Sequence, residues 1–140
     1  MADYFTHFSL LIRLPDEMAQ AYALDIHAQA SRICQGDETP DGFPVSLSEC
    51  TEDWHFEAEA DDIESHPALW LHTENGGIDA VCAFIQHLLQ KFDPSGRVTF
   101  QWSNDCSKPR VDAYGGGAAV ITARKIKTMS THQWLQKQLG

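Results

Sequence analysis

The residues best suited to chemistry fall in one stretch, Val98 to Ile126, which reads VTFQWSNDCSKPRVDAYGGGAAVITARKI. Its centre sets Trp102, Asn104, Asp105, Cys106, Lys108, Arg110, Asp112 and Tyr114 ahead of three consecutive glycines, Gly115 to Gly117. A thiol flanked by cations raises nucleophilic catalysis first, because Lys108 and Arg110 would favour the thiolate of Cys106. Asp105 opposes that effect, and the nearest histidine in sequence, His87, lies 19 residues away. A nucleophile therefore needs a histidine delivered by the fold; an inert thiol is the simpler reading. The glycines suggest a phosphate cradle, but such a loop leads into a helix N-terminus. Ala118 to Thr122 are strand-like, so positive φ, a bulge or close backbone approach accounts for the glycines better.

The polar residues from Ser103 to Asp112 admit two readings. Arg110 pairs with Asp105 or Asp112 in a self-satisfied network, or it joins Trp102 and Tyr114 as an anchor for a partner, arginine and aromatics being favoured at interfaces. The candidate binding residues are Trp102, Asn104, Asp105, Cys106, Arg110, Asp112 and Tyr114, and no residue is assigned a catalytic role. Among seven histidines, only His66 with His72, or His55 with His72, have a spacing that lets them converge. There is no HExxH or facial-triad pattern, and Cys34, Cys50, Cys82 and Cys106 contain no CxxC pair. No metal and no cofactor are expected. The acidic row Glu57, Glu59, Asp61, Asp62 and Glu64 is a solvated face or, more sharply, a phosphate mimic for a basic protein.

These residues need elements to position them. The 140-residue chain is the size of one domain, residues 1–140, and can bury roughly two-thirds of its unfolded surface. Residues 4–14 alternate as a half-buried strand, with Tyr4, Phe8, Leu10, Ile12 and Leu14 on one face. Pro15-Asp16-Glu17 opens a helix whose apolar positions run from Ala19 to Ile33, with Gly36 past its end. Residues 36–50 read as a loop with a short extended piece at Val45 to Leu47. Trp54, Phe56, Ala58 and Ala60 alternate in a second strand, and residues 68–74 form a third. Ile78, Val81, Cys82, Ile85, Leu88, Leu89 and Phe92 make a continuous helical stripe. Strands over 98–102 and 118–126 follow, and Ser130 to Gln133 is a capping box for a C-terminal helix. The order β-α-β-β-α-β-β-α fits an α+β domain of split, ferredoxin-like type, with a mostly antiparallel sheet and both long helices on one face.

Charge narrows the partners. Twenty acidic against ten basic side chains give −10, a field that repels nucleic acid and anionic membranes alike. No apolar run approaches the roughly 18 residues of a spanning helix. The N-terminus lacks the pattern of a signal peptide, which implies a reduced, cytoplasmic protein.

The segments ALWLHTENGG (68–77), CAFIQHLLQKF (82–92) and FQWSNDCSKPRVDAYGGGAAVIT (100–122), with a closing HQWL, resemble a small family of uncharacterised bacterial and mobile-element proteins. The resemblance covers the C-terminal two-thirds. It implies a recurring domain in a bacterial or phage setting and carries over no activity and no catalytic residue. The expected function is a non-enzymatic, cytoplasmic protein-interaction domain with an acidic surface, using residues 103–114 and 55–62. Homodimerisation through a sheet edge or face is a related expectation. The alternative is a small enzyme or ligand-binding protein built on Cys106 with Asp105 and Arg110.

Overall fold

The computed structural model describes residues 2–110 and 113–140; Asp112 therefore lies outside the described residues. Strand β1 (Tyr4–Arg13) leads into helix α1 (Glu17–Cys34), which starts where the Asp16 carboxylate accepts from the Ala19 N–H at 2.8 Å. That cap satisfies a donor the helix cannot satisfy itself. Ala19, Ala23, Ile26 and Ala30 form the buried stripe of α1, the small residues letting the helix approach the sheet closely. A short helix α2 (Val45–Ser48) and a single 3-10 turn (Thr51–Asp53) precede the hairpin β2 (Glu57–Ile63) and β3 (His66–Thr73). Helix α3 (Ile78–Phe92) buries the predicted stripe, and β4 (Arg97–Cys106), β5 (Gly115–Thr122), β6 (Ile126–Ser130) and α4 (Thr131–Leu139) complete the chain. Ser130 caps α4, its Oγ accepting from the Gln133 N–H as the capping box requires.

The sheet is antiparallel throughout, in the order β2-β3-β1-β4-β5-β6. Its first four strands, with α1 and α3 as crossovers, form the expected split arrangement. Both long helices cover one face: α1 and α3 share one core with Phe8, Ile12, Leu69, Leu71, Phe100 and Ile121. The Tyr22 hydroxyl on α1 lies 2.7 Å from His87 Nε2 on α3. Burial raises the tyrosine pKa, assisted by Asp25, and lowers that of the histidine, assisted by Lys91. Both shifts favour the neutral pair. On the opposite face, Leu11 and Glu59 stand exposed.

Four segments differ from the sequence expectation. Residues 36–50 hold α2, so Val45 to Leu47 are helical and not extended, and Phe43 and Leu47 are buried. Trp54 and Phe56 precede β2 and turn beneath the sheet, with ring centroids 5.4 and 5.9 Å from Phe84. Their alternation mimics a strand, yet an aromatic cluster fixes them. Strand β4 runs on to Cys106 because Ser103 to Cys106 find partners in Tyr4 to His7. Finally, the single strand expected over 118–126 extends back to Gly115 and breaks after Thr122. Thr122 exchanges backbone and side-chain bonds with Lys125, and the chain returns as β6. Among the described residues, no helix is long and apolar enough to cross a membrane.

Candidate functional site

Adjacent strand residues point to opposite faces, and that rule separates the sequence-predicted cluster. Asp105 faces the open side, where Oδ2 lies 3.2 Å from His7 Nε2. Cys106 faces the other way and is 7% exposed. The fold thus delivers a histidine to Asp105 and not to the thiol. Arg110 is also elsewhere, donating to the Tyr4 hydroxyl at 3.3 Å and making no ion pair with Asp105. Asn104 Oδ1 accepts from Thr6 Oγ1 at 2.8 Å, and the Tyr114 hydroxyl donates to the Cys106 carbonyl at 2.9 Å. Trp102 is half-buried at the margin of the core, its ring 5.8 Å from Phe100, so it is not a free surface anchor. Asp112 lies outside the described residues, and the six described candidates form no single constellation.

Cys82 is more deeply buried, and its thiol is pushed up to about 12, by burial first and by Asp79 second. In native protein, iodoacetamide is expected to reach Cys34 and Cys50, which are partly exposed, and to spare Cys82 and Cys106 until urea unfolds the chain. Peptide mapping of the alkylated sites checks this. Rapid native labelling of Cys106 would contradict its placement.

The triple glycine is structural. Gly115 has φ +143, and a Cβ on Gly117 would fall inside the Trp102 ring and on the Met129 carbonyl. Positive φ at Gly115 and close approach to the Trp102 carbonyl at Gly116 and the Trp102 ring at Gly117, not phosphate binding, are what these positions need.

The open face gathers a different set. Glu57, His72 and Ser9 stand in register across β2, β3 and β1, with Glu59, Trp70 and Leu11 beside them. His7, His55, His72, Glu57 and Glu74 line an open groove of about 580 Å³. His72 Nε2 lies 2.6 Å from Glu59 Oε2, and its ring stacks on Trp70 at 3.9 Å. The Trp70 indole donates to Ser9 Oγ at 2.8 Å, which fixes the ring's plane. Two histidine–carboxylate pairs, His72–Glu59 and His7–Asp105, therefore flank the groove.

Chemically, this groove is an array of carboxylates and imidazoles on aromatic supports. No hydrogen bond joins Ser9 to His72, whose Nε2 is turned to Glu59, so no serine–histidine relay is assembled. Among the described residues, no group of three His, Cys, Asp or Glu is arranged to hold a metal ion. His55 and His72 do line one site, as their spacing suggested. His7 was missed because its partner Asp105 lies 98 residues away in sequence. The acid row on β2 and the spacing of His55 and His72 were the legible signals.

No protein-family model matches the sequence, and no curated protein matches it. Among solved structures, the chain is similar to LarC2, the C-terminal domain of a cyclometallase involved in the synthesis of the NPN cofactor of lactate racemase, in its apo form. That likeness covers 99% of this chain and 88% of the other at 10% identity, with a TM-score of 0.35. At that level it says nothing about ligand or reaction.

Proposed function

We propose that the domain is a protein-interaction module that receives a basic segment of its partner in the groove on the open sheet face. The observation that carries this reading is the concentration of Glu57, Glu59, Glu74 and Asp105 around stacked aromatic and imidazole rings. The surrounding charge supports it: from Asp37 to Asp79 the sequence has thirteen acidic residues and no lysine or arginine. A lysine or arginine entering the groove meets carboxylates for its charge and Trp70 for its stem. Complementary potentials of this kind set specificity and encounter rate.

The test is a quantitative pull-down from lysate with wild type, a Glu57→Lys/Glu59→Lys variant and an Arg110→Ala variant. Glu57 and Glu59 are exposed, so the reversal leaves the core intact; circular dichroism verifies it. A partner held by wild type is expected to bind the charge-reversed form at least about tenfold more weakly, and to be released by added salt. Equal retention by the reversed form removes the groove from the contact. Loss on Arg110→Ala alone moves the contact to the neighbouring Tyr4–Arg110–Tyr114 surface.

A further inference from the structure

Strand register gives the open sheet face a self-complementary charge pattern. Antiparallel pairing sets Glu59, Trp70 and Leu11 in one row across β2, β3 and β1. Thr99, Val120 and Lys127 form a row across β4, β5 and β6. The pairing of Tyr4 to His7 with Ser103 to Cys106, continued along the strands, brings Leu11 level with Thr99 and joins the two rows. Val120 lies between the buried Ala119 and Ile121, so it points away from the core, and its partner Lys127 points with it. The joined row thus begins on a carboxylate, passes over apolar side chains and ends on an ammonium. The neighbouring row begins on Glu57 and ends on Met129.

The chain around each edge has the same bias. Thirteen acids and no lysine or arginine run from Asp37 to Asp79, whereas residues 113–140 hold four lysines or arginines and no acid. Both long helices pack on the other face, and here Leu11, Val120 and Met129 are 48%, 38% and 45% exposed. A two-fold axis running along the strands at the β1–β4 seam, the middle of the six, lays one such face on another. It sets Glu59 over the partner's Lys127 and Trp70 over the partner's Val120. An isologous contact makes each ion pair twice and closes at two copies. Arg13 and Arg97 come at the strand ends, on the rim of the stack, where water solvates them. The face measures roughly 650 Å² in projection, and its side-chain relief brings it near the roughly 800 Å² per partner of a standard interface. Pairing of like edges is opposed, since β6 on β6 sets lysine against lysine and β2 on β2 sets acid against acid.

We propose that the domain forms a two-fold dimer by stacking its open sheet faces, with Glu59 receiving the partner's Lys127. This inference rests on the reading of the face as a receiver of basic segments, and it names the partner as a second copy.

Sedimentation velocity over a concentration series tests it at about 0.15 M salt, where repulsion between whole molecules is screened beyond about 8 Å. Wild type is expected to pass from monomer to dimer and no further. Glu59→Lys and Lys127→Glu each oppose like charges and are expected to weaken the dimer at least about tenfold. They shift net charge in opposite directions, so a shared loss does not come from net charge. The double variant, and an equimolar mixture of the two single variants, restore both pairs and are expected to dimerise like wild type. Within one copy the two residues stand on opposite edges, about 24 Å apart, so the rescue reports contact between copies. Both side chains are exposed, and circular dichroism verifies that the variants fold. A wild type that stays monomeric up to about 1 mM overturns the proposal. If that monomer still holds a lysate partner that Glu57→Lys/Glu59→Lys releases, the basic-segment reading stands with another partner. A dimer indifferent to both single changes also overturns the proposal. So does growth past two copies, which would assign the contact to β2 of one copy against β6 of the next.

Discussion

Between pH 7 and pH 4 the domain is expected to lose on the order of 3 kcal/mol of unfolding free energy through one buried side chain, His27. His27 is 7% exposed on α1, and burial pushes its pKa down from 6.5 to about 4. Its Nδ1 accepts from the Trp54 indole N–H at 2.9 Å, and its Nε2 lies 3.5 Å from Ser31 Oγ. A proton on Nδ1 breaks the first bond and strands a donor in an aromatic cluster of Trp54, Phe56 and Phe84. Because the folded value lies below the unfolded one, the unfolded chain takes the proton first. Stability is therefore intact above about pH 6.5, falls between 6.5 and about 4, and receives no further contribution from this group below that. Urea unfolding followed by tryptophan fluorescence across this range, for wild type and His27→Gln, reads the effect. Glutamine keeps an acceptor for Trp54 without a titrating ring, so the difference between the two profiles isolates His27. His87, whose pKa burial and Lys91 also lower, leaves the variant a residual slope of the same sign. Parallel profiles would show that His27 does not titrate as a buried neutral group.

His27 also illustrates what was legible in the sequence. It sits on the apolar stripe between Ile26 and Ala30, so its helix and its inward face follow from periodicity. Its acceptor role does not, because Trp54 arrives through a segment that alternates like a strand and packs like a plug. The split antiparallel architecture was legible because each crossover helix carries an unbroken stripe and each hairpin its turn residues. What local pattern misses is pairing. Whether Ser103 to Cys106 are loop or strand depends on Tyr4 to His7, about a hundred residues away. The same dependence hid the open-face site. Glu57 and Glu59 read as a solvated acid row until register sets them against His72 and Trp70. Conversely, the clustered polar residues of 102–114 looked like one site because they are neighbours in sequence. Strand alternation divides those on β4, Trp102 to Cys106, between two faces.

The glycines of that stretch lend themselves to a sharper experiment than inspection. Gly117→Ala is expected to destabilise the domain by about 3 kcal/mol, because its Cβ has no room beside the Trp102 indole or the Met129 carbonyl. The indole can shift only by leaving the core margin it shares with Phe100, and the carbonyl belongs to β6, paired to β5 through Ala118↔Met129. Trp102→Ala alone is expected to cost about 2 kcal/mol, less than a fully buried tryptophan, since the ring is only half-buried. In the double variant the ring's share of the clash is gone while the Met129 carbonyl's remains, so the two costs should fall short of their sum by roughly 1–2 kcal/mol. That coupling follows from steric exclusion by a specific ring; loss of glycine's flexibility alone does not produce it. Chemical denaturation of the four proteins in the cycle supplies the numbers. Additive costs would assign the penalty to the Met129 carbonyl and not to the ring, and a Gly117→Ala variant as stable as wild type would mean that neither group lies over the glycine. The triplet would then be open to the ligand role that its present geometry denies.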